Sequence, residues 1–184
     1  MEKVESGILN MKENKTSNCI QTAVITMSDK GARGERKDTS GQAIIEILAE
    51  NHWEIGYTTI IPDEQTQIEE TLKYCADVLQ IPLIVTTGGT GFSKRDVTPE
   101  ATKAVIEREA PGIAEAMRTE SLKITPMAML SRATAGIRGN SLIVNLPGSE
   151  KAVRECLGFI VKPIRHGVEI LLGSASECGQ PVQK

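Results

Sequence analysis

The chain of 184 residues is long enough for one domain with a sizeable core, and a second domain is not expected. Apolar residues make up 40% and charged residues 24%, an ordinary globular balance, and no apolar run reaches the roughly 18 residues of a membrane span or forms a signal-peptide core. A net charge of −3 with one Trp, two Tyr and two Phe argues against a basic nucleic-acid face or a base-stacking platform. The expectation is a cytoplasmic protein with neither nucleic acid nor membrane as partner.

Residues 1–19 are polar, rich in Lys, Glu, Asn and Ser, and without periodicity, which predicts a disordered leader. Ile20–Met27 (IQTAVITM) reads as a first strand, followed by a glycine- and charge-rich loop over 28–38. Ser40 is placed to cap a helix with Ile44, Ile47 and Leu48 on one face. A second strand spans about 55–61 and ends at Pro62-Asp63; Ile68, Leu72, Cys75, Ala76 and Leu79 then recur at helical spacing.

The next strand is a buried β-branched run that opens at Ile84 and meets three glycines in four positions, Gly88-Gly89-Thr90-Gly91. Thr98-Pro99 then reads as a helix start, with the hydroxyl as cap and the proline in the first turn. Another helix is expected over 112–123. The stretch 126–139 shows no single period. Ser141–Leu146 (SLIVNL) is a strand, and Pro147-Gly148-Ser149 leads into a long helix that turns Val153, Leu157, Ile160, Val161, Ile164, Val168 and Leu171 inward, with Pro163 as an expected break or kink. Residues 173–184 return to tail composition. Alternation of strand and helix predicts a three-layer α/β fold over 20–172: an open, mostly parallel sheet, helices on both faces, and a ligand crevice at the strand carboxyl ends.

Four segments at such strand ends do not look like spacers: 28–40, 62–64, 88–100 and 147–149. A strand, a bare-backbone loop and a helix start together make an anion site where free amides converge; the same glycines also suit a tight turn. The spacing matches neither the P-loop nor the dinucleotide fingerprint. Asp96 reads either as a surface carboxylate paired with Arg95 or as a ligand of Mg²⁺, which takes one or two carboxylates plus substrate phosphates. Asp63 reads as that partner ligand or as a helix cap, and Ser149 as a cap beside a glycine that lets a ligand approach. Lys94, Arg95, Arg132 and Arg138 are cations available to phosphate. The only histidines, His52 and His166, lie far in sequence from the glycine loop, which argues against Ser/His/Asp or Cys/His catalysis. Cys19, Cys75, Cys156 and Cys178 form no C-x-x-C pair, against both zinc and a disulfide framework.

The segments TTGGTGFSKRDVTPEAT (86–102), ESLKITPMAMLSRATAGIRG (120–139) and NLPGS (145–149), with Ser28-Asp29, Gly34, Asp38, Ser40-Gly41 and IPDE (61–64), resemble the molybdopterin adenylyltransferases: the MogA-like proteins and the G domains of gephyrin and its plant counterpart. The resemblance spans about 20–172. It implies transfer of AMP from ATP to the terminal phosphate of molybdopterin, with release of pyrophosphate, ahead of molybdenum insertion. It places the family's two important aspartates on Asp63 and Asp96, as catalytic residues and ligands of Mg²⁺ or a similar divalent cation. Substrate binding falls on Ser28, Asp29, Gly88, Gly89, Thr90, Gly91, Arg132, Pro147, Gly148 and Ser149. It also implies a homotrimer that passes its product to a molybdenum-insertion protein. The alternative is a non-catalytic, MoaB-like molybdopterin binder; members of that branch depart from RDVTPEAT, and this chain does not.

Overall fold

The computed structural model describes residues 20–174. The expected leader and nearly all of the expected tail lie outside them, as do Cys19 and Cys178. Six strands, β1 (Ile20–Met27), β2 (Trp53–Ile61), β3 (Leu83–Thr87), β4 (Arg108–Glu109), β5 (Ala135–Arg138) and β6 (Ser141–Leu146), form one sheet in the order β2-β1-β3-β6-β5-β4. The first four in that order are parallel, and β5 and β4 add antiparallel to the β6 edge. The helices are α1 (Asp29–Ala32), α2 (Thr39–Glu50), α3 (Gln65–Lys73), α4 (Thr98–Val105), α5 (Pro111–Leu122) and α6 (Glu150–Leu171).

Strand alternation divides the core between two faces. Val24, Leu83, Val85, Val144 and Leu146 pack against α2, α5 and α6 through Ile44, Leu48, Met117, Leu157 and Ile164. Ala23, Ile25, Ile84 and Ile143 pack against α3 and α4 through Ile68, Leu72, Ala101 and Val105. Three layers result, as expected. One polar cluster is sealed within: the Asn145 amide donates to Thr86 Oγ1 (3.0 Å) and Thr102 Oγ1 (2.9 Å), and its carbonyl accepts from the Thr134 amide (3.3 Å). These bonds tie β6, β3 and α4 together just below the strand ends.

Several local expectations are corrected. Asp38, not Ser40, caps α2, accepting from the Gly41 amide (2.8 Å), while Ser40 is buried in the first turn and donates to Asp38. Thr98 is already helical; its hydroxyl leaves the cap position and donates to Gly88 O at 2.9 Å. Helix α6 continues through Pro163, so the expected break does not occur; Pro163 is on the exposed side while Ile160 and Ile164 hold the buried face. The stretch 126–139 contains a 3₁₀ turn, Pro126–Leu130, and β5; the last turn of the α3 segment widens into a π-helical turn, Tyr74–Val78.

From β1 the chain crosses to β2 on one side, and from β2 it crosses back past β1 to β3 on the other. The crevice of such a sheet opens where the order reverses, at the carboxyl ends of β1 and β3. The glycine loop begins there.

Candidate active site

Gly88 and Gly89 take positive φ, +94° and +62°. A Cβ at Gly88 would lie 2.3 Å from Met27 O, and one at Gly89 would lie 2.3 Å from Thr98 Oγ1 and 3.1 Å from Asp63 Oδ1. Only glycine meets both demands, so the loop is pressed between β1, α4 and Asp63. Thr87 Oγ1 donates to Pro147 O (2.7 Å), and a Cβ on Gly148 would approach Gly88 Cα to 3.2 Å. The loop after β3 and the loop after β6 are therefore joined into one wall. Ser149 caps α6, accepting from the Ala152 amide at 3.3 Å.

At the α4 N-terminus part of the donor capacity is already used. The Thr98 amide already donates to Gly89 O (3.1 Å), Pro99 has no N–H, and the Ala101 amide returns to Val97 O (3.0 Å). The amides of Gly89, Thr90 and Gly91 in the loop, and that of Glu100 in the first turn of α4, have no acceptor among the described residues. An anion would be met mainly by the loop, with one donor left at the helix start.

That wall separates two clefts. The first, about 700 Å³, is polar, and contains Ser28, Asp63, Gly88, Gly89 and Asp96 together with Thr26, Arg36, Lys37 and Asp38. The second, about 520 Å³, is largely apolar, and contains Thr90, Gly91 and Pro147 with Met117, Arg118, Met127, Leu130 and Cys156. Gly89, Asp96, Gly148 and Ser149 border both.

Asp63 and Asp96 are each held by one oxygen. Asp63 Oδ2 accepts from the Asp29 amide (3.1 Å), and the Asp63 amide donates back to Asp29 Oδ1 (3.2 Å). Asp96 Oδ2 accepts from the Ser93 amide (2.9 Å). No hydrogen bond within the described residues engages either Oδ1, and Asp63 Oδ1 faces Gly89. Burial raises the Asp63 carboxyl above the ordinary aspartate range; the Asp29 amide offsets part of this, and the Asp29 and Asp96 charges add to it. Asp29 moves the other way because Arg95 hydrogen-bonds to it.

Three of the four expected phosphate cations have other places. Arg95 grips Asp29 and Glu64. Arg132 donates to Gly91 O (2.7 Å), to Asp96 O and to the Glu100 carboxylate, so it braces the glycine loop from outside both clefts. Arg138 pairs with Asp77 (2.7 Å) and Val105 O (2.9 Å) away from the strand-end crevice. Lys94 is exposed and borders neither cleft. The cations that do border the polar cleft, Arg36 and Lys37, sit inside the Ser-Asp…Asp-x-Ser-Gly pattern, but nothing in that pattern distinguishes them from solvent-facing charge. Neither histidine borders a cleft, and burial pushes the Cys75 thiol up to about 11 and raises that of Cys156, so neither cysteine is a ready nucleophile. Among the described residues no group of three or more His, Cys, Asp and Glu is arranged to hold a metal ion.

A family profile described as "Probable molybdopterin binding domain" matches residues 23–166, which carry every strand-end loop of both clefts. The chain belongs to the molybdopterin-binding domain family. Its relatives in this family include the molybdopterin adenylyltransferase of Helicobacter pylori J99, 47% identical over 158 residues, covering 84% of this chain and 89% of that protein. The Escherichia coli K12 molybdopterin adenylyltransferase is 43% identical over 143 residues, 76% of this chain and 73% of that one. Gephyrin of Dictyostelium discoideum is 41% identical, with the match covering 89% of this chain but 24% of gephyrin. Among solved structures, the molybdopterin biosynthesis enzyme MoaB from Thermus thermophilus superimposes with a TM-score of 0.80 at 46% identity, covering 84% of this chain and 97% of that one.

Proposed function

We propose that the chain is a molybdopterin adenylyltransferase, joining the AMP moiety of ATP to the terminal phosphate of molybdopterin and releasing pyrophosphate. The observation that carries this reading is the pair of unlike clefts divided by a single glycine wall. A reaction that links two phosphates needs each substrate body seated apart and the two phosphates brought to a common edge. Similarity to adenylyltransferases at 43–47% identity supports the same chemistry.

The nucleophile is a phosphate monoester, whose second pKa of about 6 leaves it mostly dianionic at neutral pH. Its oxygen attacks the α-phosphorus of ATP, the bond from that phosphorus to the bridging oxygen of the β-phosphate breaks, and pyrophosphate leaves with the electron pair. No general base is required. The barrier is electrostatic, the approach of two anions, together with their in-line alignment. Arg36 and Lys37 supply positive charge to the polar cleft, and the loop amides of Gly89, Thr90 and Gly91 supply donors. Ser28 and Ser149 border the phosphate side, and Arg132 holds the loop rather than a substrate.

Asp63 and Asp96 fit a divalent cation: two hard carboxylates, each with one restrained and one uncommitted oxygen, border one cleft, and no third protein ligand stands with them among the described residues. This is the donor set of Mg²⁺, which keeps waters and takes its remaining ligands from substrate phosphates. When bound, it would neutralise phosphate charge and stabilise the leaving pyrophosphate.

Exposed Leu122, Ile124, Met127 and Met129 support self-association, for which the proposed state is a homotrimer in the cytoplasm handing its product to a metal-insertion protein. No helix among the described residues is long and apolar enough to cross a membrane. The deciding experiment measures pyrophosphate release from ATP with and without molybdopterin. Release that depends on molybdopterin is expected. Pterin binding with no release would instead make the chain a MoaB-like binder.

A further inference from the structure

Arg95 precedes Asp96 and, as a sequence, offers a cation to substrate phosphate. The fold gives its guanidinium different work. Nε and Nη2 grip Asp29 in a fork, 3.1 Å to Oδ2 and 2.9 Å to Oδ1, and Nη1 reaches Glu64 Oε1 at 2.7 Å. These three residues come from three different strand-end loops, those after β1, β2 and β3. Asp29 then exchanges two main-chain-to-carboxylate hydrogen bonds with Asp63. A continuous path of polar contacts therefore runs from Asp96 through its neighbour Arg95 and Asp29 to Asp63.

We propose that Arg95 is a positioning residue that sets the relative placement of Asp63 and Asp96 as a divalent-cation pair. It does so in two ways. Its fork fixes Asp29, whose amide holds Asp63 Oδ2 and leaves Oδ1 turned toward Gly89 and the cleft. It also occupies both oxygens of Asp29, so that this nearby carboxylate does not compete for the cation. The fork suits arginine specifically, because a lysine offers one point charge in place of two parallel donors. Arg95, Asp29 and Glu64 have side chains 49%, 30% and 58% exposed, and ion pairs at such exposure contribute little to global stability. The work of the clamp is local.

The inference rests on reading Asp63 and Asp96 as cation ligands, and its test separates the two claims. Mn²⁺ binding in the presence of a non-hydrolysable ATP analogue is followed by electron paramagnetic resonance, without turnover, in wild type, Arg95→Met, Arg95→Lys, Glu64→Gln and Asp63→Asn. Arg95→Met is expected to weaken Mn²⁺ about tenfold or more, the scale of losses on removing a residue that orients a metal ligand. Its thermal midpoint should stay close to wild type. Arg95→Lys should recover part of the loss. Glu64→Gln, which removes only the outer arm, should shift binding less in the same direction, and it keeps the proposal open to refutation if Arg95→Met does not fold. Wild-type Mn²⁺ affinity in folded Arg95→Met, or in Glu64→Gln should Arg95→Met not fold, overturns the clamp. If Asp63→Asn abolishes binding in that case, the cation pair stands without the clamp. If Asp63→Asn also binds normally, both claims fall.

Discussion

The two clefts share a wall and little else. On one side, Asp63, Asp38, Arg36 and Lys37, with Asp96 at the shared edge, line a cleft beside bare glycine backbone. On the other, Met117, Met127, Leu130 and Cys156 form an apolar lining with few charges. The first side is organised by hydrogen bonds that hold each carboxylate by one oxygen. The second is shaped by packing of α5, the 3₁₀ turn and α6, with Met127 62% exposed at its rim. Anions need fixed charge and dipoles, whereas a flat ring needs apolar surface with few polar anchors, and one lining cannot do both. Dividing the clefts by a glycine wall lets each be specialised while their contents still meet.

Substitutions that weigh differently on the two clefts sharpen this contrast. The largest effect is expected from the carboxylates: Asp63→Asn and Asp96→Asn should each lower kcat for pyrophosphate release about a hundredfold or more, the scale for losing charge stabilisation at the reacting phosphate. Near-wild-type release in both folded variants would end their assignment. Next is the apolar side. If the pterin ring occupies the apolar cleft and ATP the polar one, Met127→Glu, which places a charge beside the apolar cleft, should raise KM for molybdopterin about tenfold while leaving KM for ATP within about twofold. An equal rise in both constants would show that the clefts do not divide the substrates.

A smaller effect concerns stability. The Asp63 carboxyl is raised in the folded state, so ionising it at neutral pH opposes folding, and that penalty disappears as pH falls through its folded pKa. Asp63→Asn should therefore melt higher than wild type near pH 7 in the absence of divalent cations, with the gap closing in acid. A lower midpoint at pH 7 would show that the hydrogen bond with Asp29 outweighs the charge. The smallest effect is expected from Arg138→Met, because that guanidinium serves Asp77 and Val105 O away from both clefts. Steady-state kinetics should stay within about twofold of wild type, as for a surface ion pair.

Periodicity made the scaffold readable. β1 and β6 occur at the expected bounds because their runs are buried on both faces, where a strand reads as unbroken apolar sequence. β4 is two residues long and pairs only with β5, so no pattern could announce it. The caps were harder. Asp38 and Ser40 are both good cap residues, and the choice was made by Thr26, whose hydroxyl holds Asp38 Oδ2 at 2.6 Å from a distant strand. Thr98 was drawn out of its expected cap role by the Gly88 carbonyl.

The amino-acid sequence alone determined the layer order and the glycine loop, because these depend on local period and on backbone freedom, while Asp63 and Asp96 were singled out as a pair only by the resemblance to the adenylyltransferases. Tertiary structure alone decided what the cations do. Arg95, Arg132 and Arg138 are alike as residues and were equally available to phosphate. The fold set one against Asp29 and Glu64, one against the glycine loop's carbonyls, and one against Asp77. A guanidinium's partner depends on which chain segments converge around it, and sequence spacing carries no record of that convergence.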